Sequence, residues 1–408
     1  MHYVLLLTLI LLTVLFLLSY RQNYLVITKG ITIGCERIIM FDDSIYRERM
    51  NRVQNKLEDS GANLALLTPS PSFQYLAGYE YLMRERLVAL LLRRGTEPCI
   101  IAPAFEVPDH SHSTWVKNFI SWEEDEDPYM KIKDEFSTLS ENPIVMVDDS
   151  MPLGVYWGLE RAFSGFKRTL SITPIVDEMR LLKSENEIAL MRKAGEIINY
   201  AVMRAFNNAQ LGMTELEVQQ LVQTEILRKG GKPTFAAIQF GENSALPHAD
   251  SGTRELRKGD LVLMDCGCSL EGYNTDMTRV GVVGTPTEEM KRVHSIVLRA
   301  EETSIEKITK GMTCGTADGI ARRIIEDEGY GDYFTHRLGH GIGLEVHEPP
   351  YLVRGSAEIL GVGMCHSIEP GIYLEDRFGI RIEDLVCIHE DRLEVLTYAP
   401  RTLIEMNL

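Results

Sequence analysis

The chain has 408 residues and a formal net charge of −17. That length exceeds one ordinary domain and suits two, and 45% hydrophobic with 25% charged residues is the balance of a globular protein. The acidic balance excludes the positive footprint that a nucleic-acid partner requires.

The first twenty residues, MHYVLLLTLILLTVLFLLSY, stand apart from the rest. No charge occurs from Tyr3 to Leu18, a run near the lower limit for spanning a bilayer. No basic residue precedes it and no A-x-A site follows, which argues against a cleaved signal peptide. Residues 1–39 therefore read in two ways, as a membrane anchor or as an extension ahead of a true start at Met40. As an anchor, membrane association would run through residues 3–20. Arg21, Lys29 and Arg37 behind the run would then leave the protein at the cytoplasmic face. Seven cysteines, odd in number and irregularly spaced, make no disulfide framework and fit the cytoplasm.

Residues 40–175 read as an α/β unit. An amphipathic helix over about 44–59 precedes a buried strand at 63–67. Further strand-like runs follow at 87–92, 99–103 and 144–149. His110 and His112 fall in a polar HSHS loop, and the run Glu123–Asp127 reads as a solvated loop.

Residues 176–408 read as an α+β unit. Ser184 with Glu187 and Thr214 with Glu217 are capping boxes that open helices. Ile188, Met191, Ile198 and Val202 form one apolar helical face. Helices after Thr287 and over about 316–328 alternate with the apolar strands LVLMDCG, TRVGVVG, MCHSIEPG and IRIEDLVCI. Cys266 and Cys268 on the first of these read as small buried residues ahead of a thiolate metal site.

Carboxylates inside apolar strands carry the chemistry, because burying a charge is costly unless it is paired. Asp265 and Asp276 flank a tight turn at Leu270-Glu271-Gly272. A turn centred between Leu270 and Glu271 sets them directly opposite each other. Glu369 and Glu383 flank LEDRFG, a hairpin loop of about five residues that also sets them face to face. Between the two acidic hairpins lies HRLGHGIGLEVHEPP, with His336, His340 and His347. His336 and His340 have the spacing of a helical zinc site, but Gly339, Gly341 and Gly343 argue against a helix, and H-E-x-x-H is not satisfied. GHGIG also lacks the third glycine of a dinucleotide-binding turn. Asp265, Asp276, His340, Glu369 and Glu383 thus form a set. Four carboxylates balance two divalent ions, and one imidazole among them suits Mn²⁺, with Co²⁺ or Zn²⁺ as alternatives.

PHADSG (247–252), MDCGCSLEGYNTDMTR (264–279), HRLGHGIGLEVHEPP (336–350), SIEPGIY (367–373) and GIRIEDL (379–385) together resemble the pita-bread metallopeptidases. That family includes the Xaa-Pro aminopeptidases and the Xaa-Pro dipeptidases, or prolidases. YLAGY (75–79) resembles a segment of its creatinase-like N-terminal domain. The resemblance implies an α/β domain followed by an α+β pita-bread catalytic domain, proline-containing peptides as substrates, and a homodimer. It implies Asp265, Asp276, His340, Glu369 and Glu383 as ligands of two ions, with Asp276 and Glu383 bridging. It further implies Glu369 as general base and acid, His248 and His347 at the substrate and oxyanion, His336 near the substrate, and Arg381 beside a bridging carboxylate. The expected reaction is attack on an Xaa-Pro bond by a hydroxide held between the ions. A metal-free creatinase-like hydrolase and a non-catalytic peptide-binding module share the fold, but neither explains an intact ligand set. Dipeptidase and aminopeptidase differ in whether the site receives the carboxylate of a C-terminal proline, for which Arg354 is the candidate.

Overall fold

The computed structural model describes residues 41–139 and 142–408. The hydrophobic run at 3–20, the rest of the first 39 residues and Cys35 lie outside the described residues. Among the described residues no helix is long and apolar enough to cross a membrane.

The first half is a six-stranded sheet of β1 (Leu64–Leu67), β2 (Ala89–Leu92), β3 (Cys99–Pro103), β4 (Asn118–Trp122), β5 (Ile144–Val147) and β6 (Arg168–Ser171), in the order β4-β3-β2-β1-β5-β6. The continuous apolar runs of β1 and β2 are explained by helices on both faces. Ala65, Leu67, Leu90 and Leu92 pack toward the helix Asp43–Ser60 through Met50, Val53 and Leu57. Leu64, Leu66, Ala89 and Leu91 pack on the opposite face with Ile132 and Leu159. HSHS is not a loop. It closes the short helix Val107–Ser113, and His110 is buried against the Tyr79 hydroxyl at 2.8 Å.

The second half has two sheets and a ribbon. One sheet contains β7 (Lys232–Phe240), β8 (Leu261–Leu270) and β9 (Tyr273–Val283). The other contains β10 (Gly339–Gly341), β11 (Glu348–Leu352), β12 (Cys365–Ile368), β15 (Asp384–Ile388) and β16 (Leu393–Val395). The ribbon is β13 (Gly371–Leu374) with β14 (Phe378–Arg381), and β17 (Ile404–Met406) edges the first sheet beside β9. Helices Glu185–Asn208 and Glu215–Arg228, each opened by its capping box, cover the first sheet. Helices Glu288–Lys307 and Cys314–Asp327 cover the second.

The apolar stripe on Glu185–Asn208 serves two cores rather than one. Ile188 and Met191 join the core shared with the first half, while Ile198 and Val202 join that beneath the sheet of β7, β8 and β9. This helix therefore ties the halves together. A buried ion pair from Arg49 to Glu187, at 3.0 Å, and the Tyr273 hydroxyl on the same carboxylate reinforce the junction. All six described cysteines are free.

Strand alternation aims the site. Val262, Met264, Cys266 and Cys268 on β8, with Met277 on β9, face the helices. Asp265 and Asp276 have the opposite parity and face the second sheet. Cys266 and Cys268 are thus buried away from the carboxylates, and burial holds both thiols protonated, pushing Cys268 up to about 12. They act as small apolar residues.

Candidate active site

The turn between β8 and β9 lies one residue further along than the sequence suggests. Leu270 pairs with Tyr273, leaving Glu271 and Gly272 as the turn, at φ 50° and 84°. Asp265 consequently faces Thr278, and Asp276 faces Gly267. The two aspartates are diagonal neighbours on one face rather than directly opposed. Gly272 explains the shift, since a two-residue hairpin turn needs positive φ at both positions.

The second acidic hairpin keeps its expected register. Ile368 pairs with Asp384 and Gly371 with Arg381, which sets Glu369 level with Glu383 between the two ladders. The loop is shorter than expected, Glu375 to Arg377, with Asp376 at φ 59°. Neither glutamate amide bonds across this gap. Glu369 N–H donates to Leu338 C=O and Glu383 N–H to Thr278 C=O, at 2.8 and 3.2 Å. The gap ties both sheets to the same point.

His340 arrives on β10, clasped between β11 and β12. Glycine on either side is a steric requirement: a Cβ at Gly339 would meet Ser367 O at 2.1 Å, and one at Gly341 would meet Pro349 O at 2.1 Å. The cluster is therefore strand and loop, not helix.

These elements close around a cavity of about 930 Å³. Every residue singled out by motif lines it: Asp265, Asp276, His340, Glu369, Glu383, His248, His336, His347 and Arg381. Ligand atoms of Asp276, His340 and Glu383 all lie within 4.8 Å of one another. His340 Nε2 is 3.8 Å from Asp276 Oδ2 and 3.4 Å from Glu369 Oε1. Its Nδ1 lies 3.1 Å from Gly341 O, which assigns the proton to Nδ1 and the lone pair to Nε2. Burial and neighbouring His347 lower its pKa to about 3, so the ring is neutral.

The carboxylates crowd each other. Burial raises Asp276 far above the usual aspartate range, and Glu383, Asp265 and Glu369 raise it further. Glu383 is raised in the same way, and burial pushes Glu369 up to about 7. Asp265 Oδ1, Asp276 Oδ1 and Glu383 Oε1 are buried with no hydrogen-bond partner among the described residues. Asp276, His340 and Glu383 thus offer the donor set of a divalent-cation site, and Asp265 and Glu369 line the same cavity outside that close group.

The chain matches the metallopeptidase family M24 over residues 189–390 and the creatinase/prolidase N-terminal domain over residues 49–182. It is 32% identical over 359 residues to an Xaa-Pro dipeptidase of Lactobacillus delbrueckii subsp. lactis, covering 87% of this chain and 98% of that one. The chain belongs to the M24 metallopeptidases. Its fold matches the recombinant prolidase of Thermococcus sibiricus with a TM-score of 0.83 at 36% identity, covering 88% of this chain and 99% of that one. It also matches an X-Pro aminopeptidase of Thermotoga maritima, at a TM-score of 0.78 and 30% identity, covering 87% and 99%.

Around the M24 carboxylates runs a hydrogen-bonded chain. Arg381 donates to Asp265 Oδ2 at 2.6 Å, to Thr278 Oγ1 at 3.1 Å and to the Tyr373 hydroxyl at 2.8 Å. The Tyr373 hydroxyl lies 2.8 Å from His336 Nε2, and His336 Nδ1 lies 2.8 Å from Arg337 O. With its proton on Nδ1, His336 accepts from Tyr373. Both His336 nitrogens are thus engaged inside the protein, although the ring lines the cavity. His347 differs: neither of its ring nitrogens has a hydrogen-bond partner among the described residues, and its ring stands edge-on to His340 at 4.1 Å between centroids. His248 lies exposed on the rim.

Tyr373, Thr278 and Ser367 were missed by sequence reasoning. Thr278 Oγ1 donates to Glu383 Oε2 at 2.6 Å, and Ser367 Oγ donates to Glu369 Oε1 at 3.2 Å. All three sit inside motifs that carried the resemblance, and their hydroxyls stand beside the acids. Arg354 takes no part: its side chain is 70% exposed and pairs with Glu326 at 2.6 Å.

Proposed function

We propose that this M24 metallopeptidase hydrolyses Xaa-Pro peptide bonds in the cytoplasm as a homodimer. In this reading Asp265, Asp276, His340, Glu369 and Glu383 hold two divalent ions, Mn²⁺ ahead of Co²⁺ or Zn²⁺. The observation that carries it is the gathering of Asp276, His340 and Glu383 ligand atoms within 4.8 Å of one another in a cavity that Asp265 and Glu369 also line. Relatives named for Xaa-Pro or prolidase activity along nearly their whole length support the substrate class.

Bound ions supply Lewis acidity toward the scissile carbonyl and lower the pKa of the attacking water. Glu369 takes the proton of that water and passes it to the leaving nitrogen of proline. Ser367 fixes its Oε1, and a proton affinity raised to about 7 suits both transfers near neutral pH. His347 is neutral because burial, then Arg337, lower its pKa, and its open ring can donate to the developing oxyanion. His248 holds the substrate from the rim. Arg381 orients Asp265 and, through Tyr373, His336. Proline has no N–H, so a substrate gripped by its carbonyl and amino end loses nothing that a strand-like protease would need.

The test is proline release from alanyl-proline against alanine release from alanyl-alanine, with Mn²⁺ present. Rapid cleavage of the first alone supports the reading. Equal cleavage of both, or cleavage of neither, overturns it.

A further inference from the structure

His248 lines the cavity at its rim, and among the described residues no hydrogen bond reaches its ring. The backbone alone therefore aims it. His248 is the third residue of a turn from Leu246 to Ala249, which the Ala249 N–H closes on Leu246 C=O at 3.1 Å, with Pro247 in the second position where a fixed φ suits the turn. Against this turn lies Gln239, on β7 two residues beyond Ala237, which pairs with Asp265 and lines the cavity. Gln239 is completely buried. Its Nε2 donates to Leu246 C=O at 2.9 Å and to Ala249 C=O at 2.8 Å, the carbonyls at the two ends of the turn. Only a donor fits between two carbonyls, which orients the amide and leaves Oε1 buried with no hydrogen-bond partner among the described residues. An apolar side chain of the same size would fill this space without an orphaned oxygen. What the amide supplies instead is a two-pronged hold on the turn that carries His248. The rest of the loop is fastened separately. The buried Glu215 carboxylate accepts from Phe240 N–H at 2.8 Å, Asn243 Nδ2 at 2.9 Å and Gly252 N–H at 2.8 Å, and so closes the segment at both ends. Among the described residues, Gln239 is the one side chain that hydrogen-bonds the backbone of 246–249.

We propose that Gln239 is a positioning residue for the reaction: it fixes the Leu246–Ala249 turn so that the His248 ring meets the substrate at the rim. This rests on the Xaa-Pro reading above, in which His248 holds the substrate. The ring stands near the other cavity histidines, since its positive form lowers the proton affinity of His336 and His347. A ring aimed only by its backbone moves with the turn, and a small misplacement of a group that orients substrate is expensive in rate. Gln239 is buried behind the turn and reaches the substrate through His248. Its removal therefore matters only while that histidine is present.

The experiment is a double-mutant cycle between Gln239 and His248. It reads kcat/KM for alanyl-proline on the Mn²⁺-loaded protein and amide hydrogen exchange over 246–250 on the metal-stripped protein. His248→Ala should lower kcat/KM about tenfold or more. Gln239→Met removes both N–H groups and the orphaned oxygen but keeps the side chain's length. It should lower kcat/KM by most of the same factor and speed exchange over 246–250, with the melting temperature in chelator nearly unchanged. In the His248→Ala background Gln239→Met should cause no further loss, because nothing is left for it to aim. If Gln239→Met does not fold, Gln239→Asn, whose shorter amide cannot span both carbonyls, takes its place in the cycle. Losses that multiply in the double variant, or an undiminished kcat/KM in Gln239→Met, overturn the assignment while leaving Xaa-Pro hydrolysis standing. Exchange over 246–250 that Gln239→Met leaves unchanged overturns it as well. An undiminished kcat/KM in His248→Ala takes the histidine away from the substrate, and the assignment falls with it. No hydrolysis of alanyl-proline by the unmutated chain sinks the Xaa-Pro reading itself.

Discussion

Arg381 grips one oxygen of Asp265 at 2.6 Å and leaves the other buried without a partner among the described residues. The free oxygen is the one available to a metal, and the gripped one fixes its direction. Arg381→Lys keeps a charge but cannot reach Asp265, Thr278 and Tyr373 together from one ammonium. It should weaken Mn²⁺ affinity by about 10–100-fold. Metal retained after dialysis against graded chelator measures this; affinity equal to that of the unmutated chain would contradict the orienting role.

Glu369→Gln removes the proton acceptor and keeps the side-chain shape. The fold should persist, with an unchanged melting temperature in chelator, while kcat falls by about 10²–10⁴-fold. Steady-state kinetics beside a melting curve separates the two effects. A variant with near-normal kcat would move the proton transfer to another group.

The site should be destabilised when stripped of metal, since Asp276 and Glu383 are buried with unpartnered oxygens. Mn²⁺ should raise the melting temperature in a concentration-dependent way. Asp276→Asn relieves one of the repulsions. The stripped variant should melt no lower than the stripped parent, yet lose most of the Mn²⁺-induced rise. A variant that gains as much as the parent would show that Asp276 is no ligand.

Glu348 follows His347 directly and is held by Lys183 and Arg180, both at 2.6 Å. Burial alone would raise its pKa, but these two cations outweigh burial and hold it below the ordinary 4.5. A carboxylate depressed on folding stabilises the fold above its unfolded value, and that share disappears as pH falls through the folded value. Glu348→Gln leaves buried Lys183 without its ion-pair partner, while Arg180 keeps Glu345 at 2.6 Å, and should cost about 3 kcal/mol at neutral pH. Urea unfolding should show the gap between parent and variant narrowing below pH 4.5. A gap that stays constant into that range would mean Glu348 is not acting as a buried anion.

Much of the site was legible because its chemistry sits in short motifs on alternating strands. Carboxylates in otherwise apolar runs marked Asp265, Asp276, Glu369 and Glu383, and the same parity that buries Cys266 sends Asp265 into the cavity. The glycines around His340 argued against a helix through their low helix propensity, and the structure adds a separate reason for them, the close approach of Ser367 and Pro349 on either side. Register was harder. A shift of the turn to Glu271 and Gly272 keeps both aspartates on one face, so the hydrophobic pattern does not distinguish it from a turn centred one residue earlier. Long-range partners were not legible. Nothing local shows that Tyr373 bridges His336 to Arg381, that Arg354 pairs with Glu326 away from the cavity, or that the helix after Ser184 serves two cores.

The most direct measurement is a titration of metal-stripped protein with Mn²⁺, following bound metal and proline release from alanyl-proline in the same samples. Proline release that appears only with bound metal and reaches its plateau at two ions per chain is the predicted result. Full activity without metal, or two bound ions with no proline released, would contradict the account.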